Sequence, residues 1–258
     1  MRLLRELYQY REMIASLVRK DLKGRYKGSV LGFLWTFINP LLQLLIYTVV
    51  FSVIMKSGIK NYYLHLFVAL VPWIFCSSAL TTGSHLVLDQ KNMIKKIYFP
   101  REVLPVAYTT SSFCNMLFSF IIVFAVIAIM RLGVSWAALP WLIPVMLIQY
   151  LLVLGLNLIT SSVTVYCRDL EHIMGVLSMA WMYLSPVVYG IDFIPQSWKQ
   201  YYLLNPMAPL ILAYRDILYN KTAPDLPLLL QAFAESIVIL ILGILIFKKL
   251  QKRFAEEL

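Results

Sequence analysis

With 258 residues, 60% of them apolar and 14% charged, the chain lacks the polar surface of a water-solvated domain, where roughly 25% of residues are charged. That deficit excludes an ordinary soluble enzyme or binding module and makes lipid the expected solvent of the surplus apolar surface. A formal charge of +10 would suit nucleic acid, but the basic residues sit mainly at the ends of apolar stretches, so no nucleic-acid partner is expected.

Leu4, Leu7, Tyr8, Ile14, Ala15, Val18 and Leu22 recur at helical spacing, with Arg and Lys elsewhere on the wheel. The stretch is too polar to span a bilayer and reads as an amphipathic helix lying in the interface. Together with a basic knot (Arg19, Lys20, Lys23, Arg25 and Lys27) it forms an N-terminal unit over 1–27. It contains no apolar core followed by a small-residue cleavage site, so no signal peptide is expected.

Transmembrane spans are predicted over about 29–55, 62–85, 103–130 and 138–166, with a fifth ending near Tyr189 and a sixth over about 228–247. Five apolar stretches reach about 20 residues, and a sixth does so once polar interruptions are tolerated, enough to cross about 30 Å of hydrocarbon as helix. The dyad alternation of a β-barrel is absent. The expected fold is an all-α membrane protein with six transmembrane helices. It forms a single transmembrane domain over 1–258, with the bundle at 29–247 and a tail at 248–258.

With six spans both termini share a side. The basic N-terminal segment, Lys91, Lys95, Lys96, Arg101, Arg168 and the tail's Lys248, Lys249, Lys252 and Arg253 all fall there. The opposite side holds only Lys56, Lys60, Arg131, Lys199, Arg215 and Lys221. By the positive-inside rule both termini are cytoplasmic. Between spans five and six, Pro186, Pro195, Pro206, Pro209, Pro224 and Pro227 forbid a continuous helix, yet the segment is largely apolar. Two short, broken, re-entrant helices at the outer end are expected, serving either to close a pathway or simply to cap the bundle.

No glycine pair precedes a lysine at phosphate-loop spacing, and His65, His85 and His172 fit no metal-ligand spacing. Cys76, Cys114 and Cys167 are scattered and read as small apolar residues. Glu235 is the only firm intramembrane carboxylate, which leaves little with which to couple transport to an ion gradient. A pump built on this chain would draw its energy from another chain. Polar residues do recur along single helix faces: Gly32, Thr36, Asn39, Gln43 and Tyr47; Tyr108, Ser112, Asn115 and Ser119; Gln149, Asn157, Thr160 and Thr164; and Gly175, Ser178, Ser185 and Tyr189. Such rows either glue helices together or line a hydrated conduit.

The run Lys20-Asp21-Leu22-Lys23-Gly24-Arg25-Tyr26-Lys27-Gly28-Ser29-Val30-Leu31-Gly32-Phe33-Leu34-Trp35, closed by Asn39-Pro40, resembles the start of bacterial polysaccharide-export permeases, the membrane subunits of type-2 ABC exporters. Lys95-Lys96-Ile97-Tyr98-Phe99-Pro100-Arg101-Glu102 is similar to that family's loop after the second span. Tyr166-Cys167-Arg168-Asp169-Leu170 resembles its short internal loop. Leu184-Ser185-Pro186-Val187-Val188-Tyr189, Leu204-Asn205-Pro206 and Tyr214-Arg215 resemble its external-gate segment, and the likeness covers nearly the whole chain in the expected order.

The resemblance implies a homodimer around a central pore in the bacterial plasma (inner) membrane. Each copy would dock a separate ABC ATPase subunit that binds ATP and Mg, so this chain would hold no cofactor and catalyse nothing. The cargo would be an undecaprenyl-diphosphate-linked glycan moved outward, placing the chain in O-antigen export and lipopolysaccharide biosynthesis. Asp89, Lys91, Lys95, Lys96 and Tyr98 would couple to the ATPase, and Pro186, Tyr189, Asn205, Pro206 and Arg215 would belong to the external gate. Trp35, Asn39, Gln43, Tyr47, Phe51, Ser178, Trp181 and Tyr183 are candidates for the substrate pathway, the aromatics offering flat faces to sugar rings. Arg19, Lys20, Lys23, Arg25 and Lys27 are candidates for the lipid diphosphate, or for anionic membrane lipid at large. The same fold could carry teichoic acid or a hydrophobic drug. A membrane enzyme on undecaprenyl-linked sugars would need paired carboxylates. The one close internal pair, Asp169 and Glu171, is explained more simply by helix capping.

Overall fold

A computed structural model of the protein describes residues 2–25, 28–54, Lys56 and 58–257, with backbone only for 2–4, 255 and 256. Among the described residues every regular element is a helix. Lys27, one of the candidate phosphate ligands, lies outside them, as does Met55 at the expected end of the first span.

Two helices, α1 (Arg2–Gln9) and α2 (Arg11–Gly24), precede the bundle. Their apolar face, with Leu7, Tyr10, Met13, Ile14 and Leu17, packs on Val87, Ile94, Phe99, Val103, Leu104, Phe247 and Phe254. Among the described side chains of the apolar face expected from the sequence, only Leu7 and Ile14 join this packing, and Tyr8 and Ala15 are exposed. The same cluster joins both chain ends at one end of the bundle.

Helix α3 (Trp35–Thr48) is led by a 3-10 turn and prolonged by a π-helical turn, Val49–Ile54. Helix α4 (Tyr62–Leu80) is apolar on every side and buried on every side, as a central helix must be. The regular helix stops at Leu80, five residues short of the expected His85. The chain then bends through a 3-10 turn (Thr82–His85) into α5 (Leu86–Asp89) and α6 (Lys91–Lys96). Helices α7 (Val103–Ile129) and α8 (Leu142–Thr164) run close to their predicted bounds.

Helix α9 (Leu170–Tyr183) has 14 residues and a length of about 21 Å, too short by itself to cross hydrocarbon. Ser185 precedes Pro186, and a residue before proline is pushed out of the helical region, which ends the helix here. Two short helices follow, α10 (Gln196–Leu203) and α11 (Met207–Arg215), the latter extended by a π turn, Asp216–Asn220. Helix α12 (Leu226–Leu250) leads through a 3-10 turn to α13 (Phe254–Glu257).

Among the described residues, five helical segments are thus long and apolar enough to cross a membrane: Gly32–Ile54, Tyr62–Lys96, Val103–Ile129, Leu139–Thr164 and Leu226–Arg253. The tightest pairing is α8 against α12. A Cβ added at Gly243 would sit 2.5 Å from the Gly155 carbonyl oxygen, and one at Gly155 would sit 2.7 Å from the Leu240 nitrogen. Only glycine lets two helix backbones approach so closely.

Candidate functional site

Groups from α3, α4 and α9 converge on an open groove of about 520 Å³ lined by Gln43, Tyr47, Trp73, Ser77, Ser78, Gly175, Ser178 and Met182. Three of the expected pathway residues, Gln43, Tyr47 and Ser178, meet here. Ser178 is buried and shares a 2.7 Å hydrogen bond with Ser77, which ties α9 to α4. The Tyr47 hydroxyl reaches Met182 Sδ at 3.8 Å. Gln43 and Asn39 stay exposed on α3. Thr81, Thr82, Ile74 and Met179 complete the lining, so one amide, one phenol, five hydroxyls of Ser and Thr and an indole share it with apolar side chains, a mixture suited to a polar ligand with flat apolar rings.

The other expected pathway residues are placed elsewhere. Trp35 bonds Ser29 at 2.9 Å beside the start of α3. Phe51 stacks on Tyr62 at 6.2 Å, and Tyr183 is exposed. Trp181 stands edge-on to Trp73 at 6.0 Å, and its indole nitrogen donates to Asn205 Oδ1 at 2.7 Å. The rows of α7 and α8 are interior glue. Gln149 donates to the Pro72 carbonyl at 2.8 Å and accepts from the Tyr214 hydroxyl at 2.7 Å. Asn157 donates to Thr109 at 3.0 Å, and the Tyr108 hydroxyl donates to the Ser78 carbonyl at 3.1 Å.

At the end of the bundle away from the chain termini, Arg215 is 3% exposed and donates to three backbone carbonyls. They belong to Val187 (2.8 Å), Tyr189 (3.0 Å) and His65 (3.2 Å). Counted from sequence as an outer basic residue, Arg215 is instead a buried hub joining α11, the turn after α9 and the first turn of α4. Burial lowers its pKa to about 9, which leaves it charged at neutral pH. Asn205 is a second hub: its amide nitrogen donates to the Leu184 carbonyl (3.0 Å) and Ser185 Oγ (2.8 Å) while its oxygen accepts from Met207 N. Pro186 is buried, and the Tyr189 hydroxyl bonds both the Tyr183 carbonyl and Tyr202. Burial, with the Tyr189 bond second, holds the Tyr202 phenol well above its usual range. Tyr62, whose hydroxyl donates to the Val188 carbonyl at 2.6 Å, belongs to this assembly and gave no signal in the sequence beyond its position at a helix start.

At the end that carries the termini, Asp89, Lys91, Lys95, Lys96 and Tyr98 are all exposed on α5, α6 and the following loop. The basic knot does not act as one unit. Arg19, Lys20 and Lys23 are exposed, whereas Arg25 is held by Asp21 at 2.8 Å and Ser112 at 2.8 Å, over the Tyr108 ring. Lys20 and Arg25 alone among them line a cavity of about 360 Å³ between α2, α5 and α7. The expected capping by Asp169 is corrected. Its backbone is helical, which keeps the carboxylate from the amides it would cap, and Glu171 pairs with His85 at 3.1 Å.

The sequence profile of the family described as ABC-2 type transporter matches residues 12–219. The chain belongs to that family. It is 37% identical over 264 residues to the O-antigen export system permease protein RfbA of Myxococcus xanthus, covering 100% of this chain and 99% of that protein. It is 33% identical over 250 residues to an RfbA permease of Klebsiella pneumoniae, covering 96% and 95% of the two chains. A more distant relative, at 23% over 217 residues with 79% and 78% covered, is the capsule polysaccharide export inner-membrane protein CtrC of Neisseria meningitidis.

Proposed function

We propose that this chain is the membrane-spanning permease of an ATP-driven exporter that moves an undecaprenyl-linked, O-antigen-type polysaccharide outward across the bacterial plasma membrane. The whole chain acts as one transmembrane domain of six crossings, with α9 and the turn after it making the fifth and both termini cytoplasmic. Two copies pair around the pore, and each docks an ABC ATPase subunit through Asp89, Lys91, Lys95, Lys96 and Tyr98. The chain itself performs no chemistry.

The observation that carries this reading is the groove of Gln43, Tyr47, Trp73, Ser77 and Ser178, open on a protomer face that is otherwise apolar. Polar groups on a lipid-facing wall would be costly, whereas a second copy laid against α3 and α9 would turn them inward as a hydrated wall. Amide, hydroxyl and aromatic groups suit a glycan better than an aliphatic drug. The hubs at Arg215 and Asn205 fasten α11 and the turn after α9 to each other and to the start of α4, which supports an external gate seated on the bundle. Exposed Arg19, Lys20 and Lys23 remain the candidates to attract the lipid diphosphate, with Arg25 fixing the helix that bears them.

A cell lacking its own export permease tests the reading. Expression of this chain with its partner ATPase should restore surface polysaccharide. Intracellular accumulation of the lipid-linked polymer despite normal insertion of both subunits would reject it.

A further inference from the structure

The chain end beyond α12 is built into the loop that follows α6. Arg101 donates to the Gln251 carbonyl, and the Gln251 amide nitrogen donates to Glu102 Oε1 at 2.8 Å. Glu102 is 5% exposed, so this bond satisfies a carboxylate that burial would otherwise penalise. Tyr166 donates to the Leu250 carbonyl at 2.7 Å. Phe254 is fully buried, edge-on to Phe247 at 5.6 Å and beneath the Arg101 guanidinium at 5.7 Å. A tail that merely ended the chain would need none of these contacts.

Beside this clasp opens a cleft of about 1060 Å³ between α1, the loop and the tail. Lys95, Lys96, Lys248 and Lys252 line it along with Arg101, against the carboxylates of Glu6 and Glu102, so positive charge dominates. Ile94 and Phe99, both nearly buried, lie on its recessed side, and Tyr98 is 96% exposed at its rim. A flat lipid leaflet meets protruding charges; a recessed basic cleft with an aromatic rim fits a protruding chain segment.

We infer that this cleft receives a carboxylate-bearing segment of the ATPase subunit, and that the C-terminal tail is the positioning element that holds the docking loop. The inference rests on the exporter reading above and adds to it the chemistry of the contact and the role of the chain end. Through the clasp, a push on residues 95–98 reaches the starts of α7 and the end of α12 together, where a free loop would absorb it. Phe254 acts through the loop, outside the cleft lining, whereas Gln251 both bonds Glu102 and lines the cleft.

The permease–ATPase complex reconstituted in vesicles provides the test. Lys248→Glu with Lys252→Glu, both exposed positions, should reduce ATPase co-purification at least tenfold. Phe254→Ala should leave ATP hydrolysis within twofold and lower polymer export per ATP at least fivefold, and Phe254→Tyr should retain coupling. Equal losses of hydrolysis and export in Phe254→Ala, or unchanged coupling, would overturn the positioning role. Lysine variants that keep the ATPase but lose affinity for vesicles of anionic phospholipid would make the cleft a lipid site and overturn the partner. Failure of the unaltered permease to retain any ATPase would instead reject the exporter reading itself.

Discussion

Mean hydropathy is 2.0 in the richest part of Gly32–Ile54 and 1.8 in that of Tyr62–Lys96, yet 6% of the first and 78% of the second is buried within the protomer. Leu66, Phe67 and Val68 of α4 are wholly enclosed by other helices, while Leu45 and Ile46 of α3 and Val53 in the π turn after it stand more than half exposed. Hydropathy measures the drive to leave water, and it is the same whether lipid, protein or a second copy replaces the water. The difference lies in neighbours. Helix α4 is the post around which the protomer is built, whereas α3 lies on its exposed surface.

The contrast makes specific demands on variants. The largest effect is expected at Arg215→Leu, which orphans three buried carbonyls at roughly 1–3 kcal/mol each. Folded protein recovered in detergent should fall at least tenfold, and normal yield would mean that the hub is dispensable. Phe67→Ala, in the interior of α4, should cost about 3–5 kcal/mol, read as a lowered unfolding midpoint. Leu45→Ala on α3 should leave that midpoint within about 0.5 kcal/mol of unaltered protein. A cysteine at position 46 should cross-link two copies in membranes, whereas one at position 66 should not. Equal destabilisation of α3 and α4 would break the comparison.

Between these extremes lies the groove. Gln43→Leu with Tyr47→Leu should lower export about fivefold with protein levels unchanged, as measured by surface polymer per permease. Asp169→Asn should produce the smallest effect, within about 0.5 kcal/mol in stability and with no change in export, because the exposed carboxylate caps no helix. A lost activity there would reopen an enzymatic role.

Two of the polar rows share the same helical spacing but not the same surroundings. Gln149 and Asn157 recur at helical spacing as plainly as Asn39 and Gln43, yet the first pair is enclosed between α4, α7 and α8 and the second is open. Periodicity fixes which residues share a face and is silent on what the face meets. The same limit explains Trp181, whose sequence position suits a pathway but whose indole is committed to Asn205. It also explains Arg25, which sits in a basic knot but spends its guanidinium on Asp21 and Ser112. Partners 24 and 87 residues away leave no local trace. The regular helix of α9 ends at Tyr183, before the expected end near Tyr189, because Pro186 ends the helix without ending the apolar run.

By itself the sequence determined that the chain is helical, that lipid surrounds it, where its long apolar helices begin and end within a few residues, and that its polar residues gather on faces. Those properties follow from side-chain transfer free energy and helical period, which are local. Only the tertiary structure decided which faces became glue, that a buried arginine and an asparagine bind the outer segment together, and that the chain end clasps the loop after α6. Each of these depends on a hydrogen-bond or packing partner brought in from distant sequence, and only the folded chain supplies it.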